Sequence, residues 1–409
     1  MMDKRFPLNF FARAYYGMAR LNIQAPLLKI LAVALCSRII VFYVALFSNS
    51  VFGLREPYFE GEKLWNIDAP LLGLFARWDS GFYMDIAKQG YSKEQFWAFF
   101  PLYPLLLRCA SYPFSTFLHI DQAMAAAGFL LSNMFFILLA VYFYKLTHHL
   151  NGDNNIAHLS TLFLCIFPSS VFFSALYTES LFLLLITTSL YYSELKKWAL
   201  STGLAILAGF TRPIGFLAFL PLVYKAIHEP NGNKKSHVIL SLLPLLTYPA
   251  FMIYGYLETG NLFIHQQVEA KYWEAGIKNP IVSFLNLGVY SGVGYQMLVA
   301  LFLLLSVLSI TRFLKNGENL KMLTTLGFTG NGEKDKAPHY LFATSLLFIY
   351  ILFVDYRSFP RYTLTLLPVF WFMGEVSANH ETAKSMLIGV CSAFLAVVTA
   401  LFVNWYDFR

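Results

Sequence analysis

The chain reads as an all-α polytopic membrane protein, and three observations lead there. Of its 409 residues 57% are hydrophobic and only 13% are charged, which is more apolar surface than a soluble globule can bury. Apolar runs at Leu27 to Phe47, Ala123 to Tyr144, Ile239 to Leu257, Leu298 to Ile310 and Ser385 to Val403 approach or reach the roughly 20 residues that cross a bilayer as helix. The basic residues behind the formal charge of +7 gather in short segments between such runs, which is the usual topological signal and no sign of nucleic-acid binding.

The N-terminal stretch carries Lys4, Arg5, Arg13, Arg20 and Lys29 among aromatics and lacks a small-residue cleavage site. Residues 1–26 are therefore expected to form a cytoplasmic interfacial segment ahead of an uncleaved first span. With that end inside, the chain parses into about eleven spans. Lys145, Lys196, Lys197, Lys225, Lys234, Lys235, Arg312, Lys315, Lys321, Lys334, Lys336 and Lys384 then fall on the same side, and the C-terminus lies outside. The opposite face receives a long first loop over 48–121, the YTES turn at Tyr177 to Ser180 and TRP at Thr211 to Pro213. It also receives a second loop over 259–288 and the DYRSFPRY stretch at Asp355 to Tyr362. The unusual polar residues thus collect on one side of a single domain spanning 1–409. Asn316 to Lys336 reads as a cytoplasmic loop, and no internal repeat is visible. Cys36, Cys109, Cys165 and Cys391 lie in or beside apolar segments without paired spacing and read as small core residues.

Within the first loop, RWDSGFYMDIAKQGY at Arg77 to Tyr91 places several charges beside apolar runs. Burying them in lipid would cost about 3 kcal/mol each or more, so they belong in water at a membrane face. At helical spacing Asp79 shares a face with Tyr83 and Ile86, while Asp85 points about a third of a turn away. Asp79 by its position alone reads first as an N-cap, and the residues around it point instead to a reactive carboxylate. Arg77 and Trp78 before it and FFPLYP at Phe99 to Pro104 after it form an aromatic, proline-rich wall that would exclude water and stack against a sugar ring. Glu179 opens a helix after the YTES turn, where a carboxylate meets the positive helix end; a structural and a substrate-binding role both remain open for it. The chain has no Asp-x-Asp and no cluster of carboxylate or His ligands, so neither a metal nor another cofactor is expected.

Four segments, in order, resemble the PIG-V type of mannosyltransferase: Arg77 to Tyr91, FFPLYP, FPSSVFFSALYTESLF at Phe167 to Phe182, and GFTRPIG at Gly209 to Gly215. A fainter likeness extends to the Gly260 to Pro280 loop and to Arg361. The resemblance implies a GT-C glycosyltransferase that moves mannose, a hexose, from a polyprenyl- or dolichyl-phosphate donor. The acceptor would be a lipid-linked or glycolipid molecule at the extracytoplasmic or luminal face, and the reaction would invert the anomeric centre. It also implies that Asp79 is the general base of the first outer loop. Positive charge for the leaving lipid phosphate would come first from Arg361, then Arg212, then Arg357. Substrate contacts are expected from Arg77, Trp78, Ser80, Tyr83, Tyr103, Tyr177, Glu179, Gln267, Trp273 and Tyr362. The membrane would be the plasma membrane in a prokaryote or the endoplasmic reticulum in a eukaryote. A lipid-linked-sugar flippase is the competing reading; it explains the spans but leaves the gathering of Asp79, Glu179, Arg212 and Arg361 without a reason.

Overall fold

The computed structural model describes residues 25–52, 70–229, 233–315, 336–353 and 356–406; all but the last two residues of the expected interfacial segment, part of the first loop and most of the Asn316 to Lys336 loop lie outside them. The described residues form helices and turns with no strand. The helices, in chain order, begin with α1 (Ala25–Val51), α2 (Ser80–Gln89), α3 (Leu102–Ser111), α4 (Ile120–Asn151) and α5 (Asn154–Ile166). There follow α6 (Glu179–Glu194), α7 (Trp198–Gly209), α8 (Phe219–His228), α9 (Lys234–Leu242), α10 (Thr247–Thr259) and α11 (Ile264–Trp273). The last are α12 (Pro280–Ser291), α13 (Val293–Lys315), α14 (Ala337–Phe353), α15 (Leu367–Asn379) and α16 (Glu381–Val403).

Five stretches are long and apolar enough to cross a membrane: Pro26–Val51, Ile120–Asn151, Lys234–Thr259, Val293–Leu314 and Glu381–Val403. Each contains one of the five apolar runs of the sequence. Five further apolar helices have only 10–17 residues. At 1.5 Å per residue they reach about 15–26 Å, short of a hydrocarbon layer of about 30 Å. The expected count of about eleven spans is therefore not reached by full-length helices among the described residues. Proline and 3₁₀ turns shorten two of the short helices: Pro168 and Pro213 each stand at the start of a 3₁₀ segment where an apolar helix is broken, whereas the turn at Pro244 lies inside the full-length stretch Lys234–Thr259.

The helices that carry the site are fixed by local chemistry. Gly152, at φ 70°, ends α4 by donating its N–H to the His148 carbonyl, and Asp153 then caps α5 by accepting from the N–H groups of Asn155 and Ile156 at 2.6 and 3.2 Å. The resulting α4–α5 hairpin packs against α6, α15 and α1. Backbones of α5 and α15 approach so closely that a Cβ on Gly374 would stand 2.1 Å from Ser160 Oγ.

Between α5 and α6 runs the 3₁₀ segment Pro168–Phe173, and a buried arginine from the middle of α1 pins it. Arg38 donates to the carbonyls of Ser170 and Cys165 at 2.7 and 3.0 Å and to the hydroxyls of Ser170 and Ser174 at 2.8 and 3.2 Å. Its guanidinium also lies 4.2 Å from the centre of the Phe136 ring. One cation thereby satisfies backbone groups that the break in the helix leaves unpaired.

Helix α6 then separates two charged centres. Glu194, its last residue, accepts from His339 Nε2 at 2.7 Å and lies 2.5 Å from Lys225 Nζ, while nearby Glu375 faces Arg312 and Lys336 at 3.5 and 3.6 Å. These basic residues belong to the group that the sequence places on one membrane side. Glu179, the first residue of α6, stands at the other end, about 22 Å away by helix rise.

Candidate active site

Asp79 occupies the N-cap position of α2 but makes no capping bond with its side chain. Its Oδ2 instead accepts from Arg361 Nη1 at 2.7 Å, across 282 residues of sequence. The residue before it, Trp78, has φ 50°, a left-handed conformation costly for a bulky side chain. Its ring is buried 5.2 Å from that of Trp405, and such packing holds the turn in place. The Asp79 backbone N–H donates to Tyr177 Oη at 3.3 Å, tying the first loop to the segment that leads into α6.

Glu179 is almost wholly buried, and its Oε1 accepts from Arg212 Nη1 at 2.9 Å and lies 3.4 Å from Arg361 Nε. Arg361 therefore stands between two carboxylates, and Arg212 supports the second of them. Tyrosine rings line both guanidiniums: Arg361 lies 5.3 Å from the Tyr177 centroid and 5.2 Å from that of Tyr362, and Arg212 lies 5.1 Å from Tyr362. Tyr362 Oη accepts from Arg361 Nη2 at 3.3 Å, and its ring stacks on Tyr350. Glu179 Oε2 and Arg361 Nε are buried without a hydrogen-bond partner among the described residues. Buried polar atoms left in this way are costly, which sets this centre apart from the packed polar groups around it.

The aromatic wall stands beside this centre. The Tyr83 ring lies 6.5 Å from that of Tyr177, and burial, then the negative charges of Asp79 and Glu179, push its hydroxyl well above its usual range. Its ring meets Phe99 at 5.0 Å and Tyr103 at 5.2 Å. Phe82 stacks on Phe99 at 4.9 Å, and Trp273 from α11 closes on both at 5.6 and 5.4 Å.

Of the residues that the sequence singled out, Asp79, Tyr83, Tyr177, Glu179, Arg212, Arg361 and Tyr362 come together here. Trp78, Tyr103 and Trp273 form its walls. Ser80 donates to the Phe75 carbonyl at 3.4 Å, and the Tyr103 hydroxyl pairs with Ser132 at 3.2 Å. Arg77 turns the other way, with Nε on the Val403 carbonyl at 2.9 Å, so it anchors the end of α16. Gln267 lies at the surface and accepts from Asn261 at 2.8 Å. The carbonyl of Arg357 accepts from the Tyr295 hydroxyl. Asp85 pairs with Lys88 at 2.9 Å, away from Asp79 as its helical phase requires.

Two residues escaped the sequence reading. Arg38 was visible as a charge inside an apolar run, which by itself marks an intramembrane ionisable residue as one with a task. Glu269 was hidden among the many polar residues of its loop. Among the described residues, no group of three or more His, Cys, Asp or Glu side chains could hold a metal ion.

Fold and site together define a multi-pass helical membrane protein built around an ion-paired polar centre. The family model described as Mannosyltransferase (PIG-V) matches residues 16–408, and the chain belongs to that family. It is 32% identical over 182 residues to GPI mannosyltransferase 2 of Drosophila pseudoobscura pseudoobscura, a match covering 38% of each chain. Over 357 residues it is 24% identical to GPI mannosyltransferase 2 of Schizosaccharomyces pombe, covering 81% of this chain and 72% of the other. It is also 28% identical over 204 residues to GPI alpha-1,6-mannosyltransferase 2 of Cricetulus griseus, covering 46% and 41%. The chain thus spans about two fifths of the length of the Drosophila and Cricetulus relatives in these matches. Among solved structures, the oligosaccharyltransferase of Archaeoglobus fulgidus tethered with an acceptor peptide is similar at a TM-score of 0.45 and 8% identity, covering 91% of this chain and 55% of that one.

Proposed function

We propose that the chain is a mannosyltransferase of the GT-C class. It would take the sugar from a polyprenyl- or dolichyl-phosphate donor and pass it to a lipid-linked or glycolipid acceptor at the extracytoplasmic or luminal membrane face. The observation that carries the reading is the Asp79–Arg361–Glu179–Arg212 chain of contacts, which sets two carboxylates and two guanidiniums beside an aromatic wall in a protein of this family.

In this reading Oδ2 of Asp79 is engaged by Arg361, and Oδ1 receives the proton of the acceptor hydroxyl. That oxygen forms its bond to the anomeric carbon as the bond from the carbon to the phosphate oxygen breaks, with inversion. Arg361 and Arg212 lie near the negative charge that builds on the departing phosphate. Arg357, from the preceding turn, would reach the same anion. Glu179 holds the two arginines in register, and Trp78, Tyr83, Tyr177, Trp273 and Tyr362 offer faces and hydroxyls to the sugars. The end of α6 bearing Glu179 would face the outside or the lumen, and the end bearing Glu194 the cytoplasm. The positive-inside pattern of Lys225, Arg312 and Lys336 supports that assignment.

The test is transfer of labelled mannose from synthetic polyprenyl phosphomannose to a lipid acceptor mixture by purified protein, with and without EDTA. Product formation that survives EDTA is the expected result. Movement of the lipid across vesicles without any transfer would replace this reading by that of a flippase.

A further inference from the structure

In the polar centre two guanidiniums meet two carboxylates, Arg361 on Asp79 at 2.7 Å and Arg212 on Glu179 at 2.9 Å, so its charges balance. Two residues before Asp79 stands a cation without such a match. Arg77 is only 5% exposed; its Nε donates to the Val403 carbonyl at 2.9 Å, and its guanidinium lies 5.3 Å from the centre of the Trp405 ring. The negative end of α16 offsets part of the charge. Nη1 and Nη2, which carry the other four N–H donors, make no hydrogen bond or ion pair among the described residues, and neither nitrogen is sealed from the surface. Trp78, packed 5.2 Å from Trp405, closes the other side with a second indole. Burial lowers the Arg77 guanidinium to about 10, which leaves it charged throughout the neutral range.

A guanidinium held this far from water with one backbone acceptor is costly, and an anion on its open nitrogens would offset that cost. The apolar indoles beside it strengthen any such contact by keeping the local dielectric low. Both substrates of the reaction proposed above are lipid-linked, and two phosphates on one pair of arginines would repel each other. With the donor phosphate at Arg361 and Arg212, an acceptor phosphate needs a cation of its own. The Cα atoms of Arg77 and Asp79 stand at most about 7 Å apart along the chain, so one molecule can touch both residues. We propose that Arg77, over Trp405, is the anion subsite of the acceptor: Nη1 and Nη2 take the phosphodiester of a lipid-linked acceptor whose sugar hydroxyl lies at Asp79, and they select it over a neutral glycolipid. This inference rests on the transfer reaction proposed above.

The test is steady-state transfer of labelled mannose by the purified full chain to two synthetic acceptors. One is a sugar joined to a lipid through a phosphodiester, and the other is the same sugar on an uncharged alkyl chain of equal length. Wild type should prefer the phosphodiester in kcat/KM. Arg77→Gln keeps a donor for the Val403 carbonyl but loses the charge, so it should lower that preference about 10- to 100-fold, mainly through the acceptor KM. Arg77→Lys should recover part of it. No preference in wild type, or a preference unchanged in Arg77→Gln with both acceptors slowed alike, leaves Arg77 as an anchor of α16 and overturns the inference while the transfer reading stands. A rise in the donor KM alone overturns it as well, because the anion bound there would be the donor's. If Arg77→Gln does not fold, wild type decides: an analogue that keeps the phosphodiester and lacks the accepting hydroxyl should compete with the acceptor, and competition with the donor alone overturns the inference. Absence of transfer to either acceptor sinks the mannosyltransferase reading and the inference together.

Discussion

Replacing Arg361 by methionine removes the cation that stands between Asp79 and Glu179, and the cost follows from what each carboxylate keeps. Glu179 retains Arg212 at 2.9 Å, whereas Asp79 loses the 2.7 Å bond of Oδ2. Side-chain exposures of 9% for Arg361 and 22% for Asp79 place the pair mostly out of water. Removing one partner of a buried pair costs about 3–5 kcal/mol, and the partial exposure of Asp79 puts this case near about 3 kcal/mol. Asp79→Asn in the same protein removes the stranded charge, so the double variant should recover part of the loss. The coupling expected for a short charge-assisted bond is about 1.5–3 kcal/mol. Reversible unfolding in mixed micelles titrated with SDS, on wild type, both single variants and the double, measures it. Single effects that add to within about 0.5 kcal/mol would show that the two residues do not act as a unit, and the site as described here would be wrong.

Three further outcomes follow from particular contacts. Gly374→Ala drives a methyl group into Ser160 where α15 meets α5, and it should destabilise by about 1–3 kcal/mol in the same unfolding assay. Arg38→Met strips hydrogen bonds from the Cys165 and Ser170 carbonyls, so a loss of about 3 kcal/mol or more is expected, and transfer should fall with it because that segment leads directly to Tyr177 and Glu179. Arg38→Lys, with one ammonium for four acceptors, should restore only a fraction. The Glu269 carboxyl is raised to about 7 when folded and titrates near 4.3 when unfolded, so the native state binds the extra proton between those values. Stability should therefore be fully present below about pH 4 and decline as pH rises to about 7, by up to about 4 kcal/mol. Glu269→Gln should lack this decline in melting curves taken across pH.

The sequence made the long spans legible because an apolar run of twenty residues has few alternatives to a membrane helix. All five such runs became helices of that kind. Its total of about eleven is not reached by full-length helices among the described residues, since Pro168 and Pro213 divide apolar sequence into pieces that periodicity alone joins. Asp79, Glu179, Arg212 and Arg361 could be singled out from four separate segments because ionisable groups beside apolar runs need a reason to be there. Their pairing could not be read, because no local rule links residues up to 282 apart. The N-cap position of Asp79 likewise suggested a bond that its side chain does not make. Arg77 illustrates the converse: it stands two residues from Asp79, yet the left-handed turn at Trp78 sends it to the Val403 carbonyl. Glu269 escaped because nothing local in the sequence sets it apart from the other polar residues of its loop.

The central claim is that Asp79 accepts the proton of the acceptor hydroxyl. Its most direct test is the single-turnover rate of mannose transfer by wild type and Asp79→Asn, with donor affinity measured on the same samples. Loss of a positioned base should slow transfer by about 10²- to 10⁴-fold while donor affinity changes only a few-fold. A variant that transfers within about threefold of the wild-type rate would contradict the claim, because removing a general base is worth far more than that.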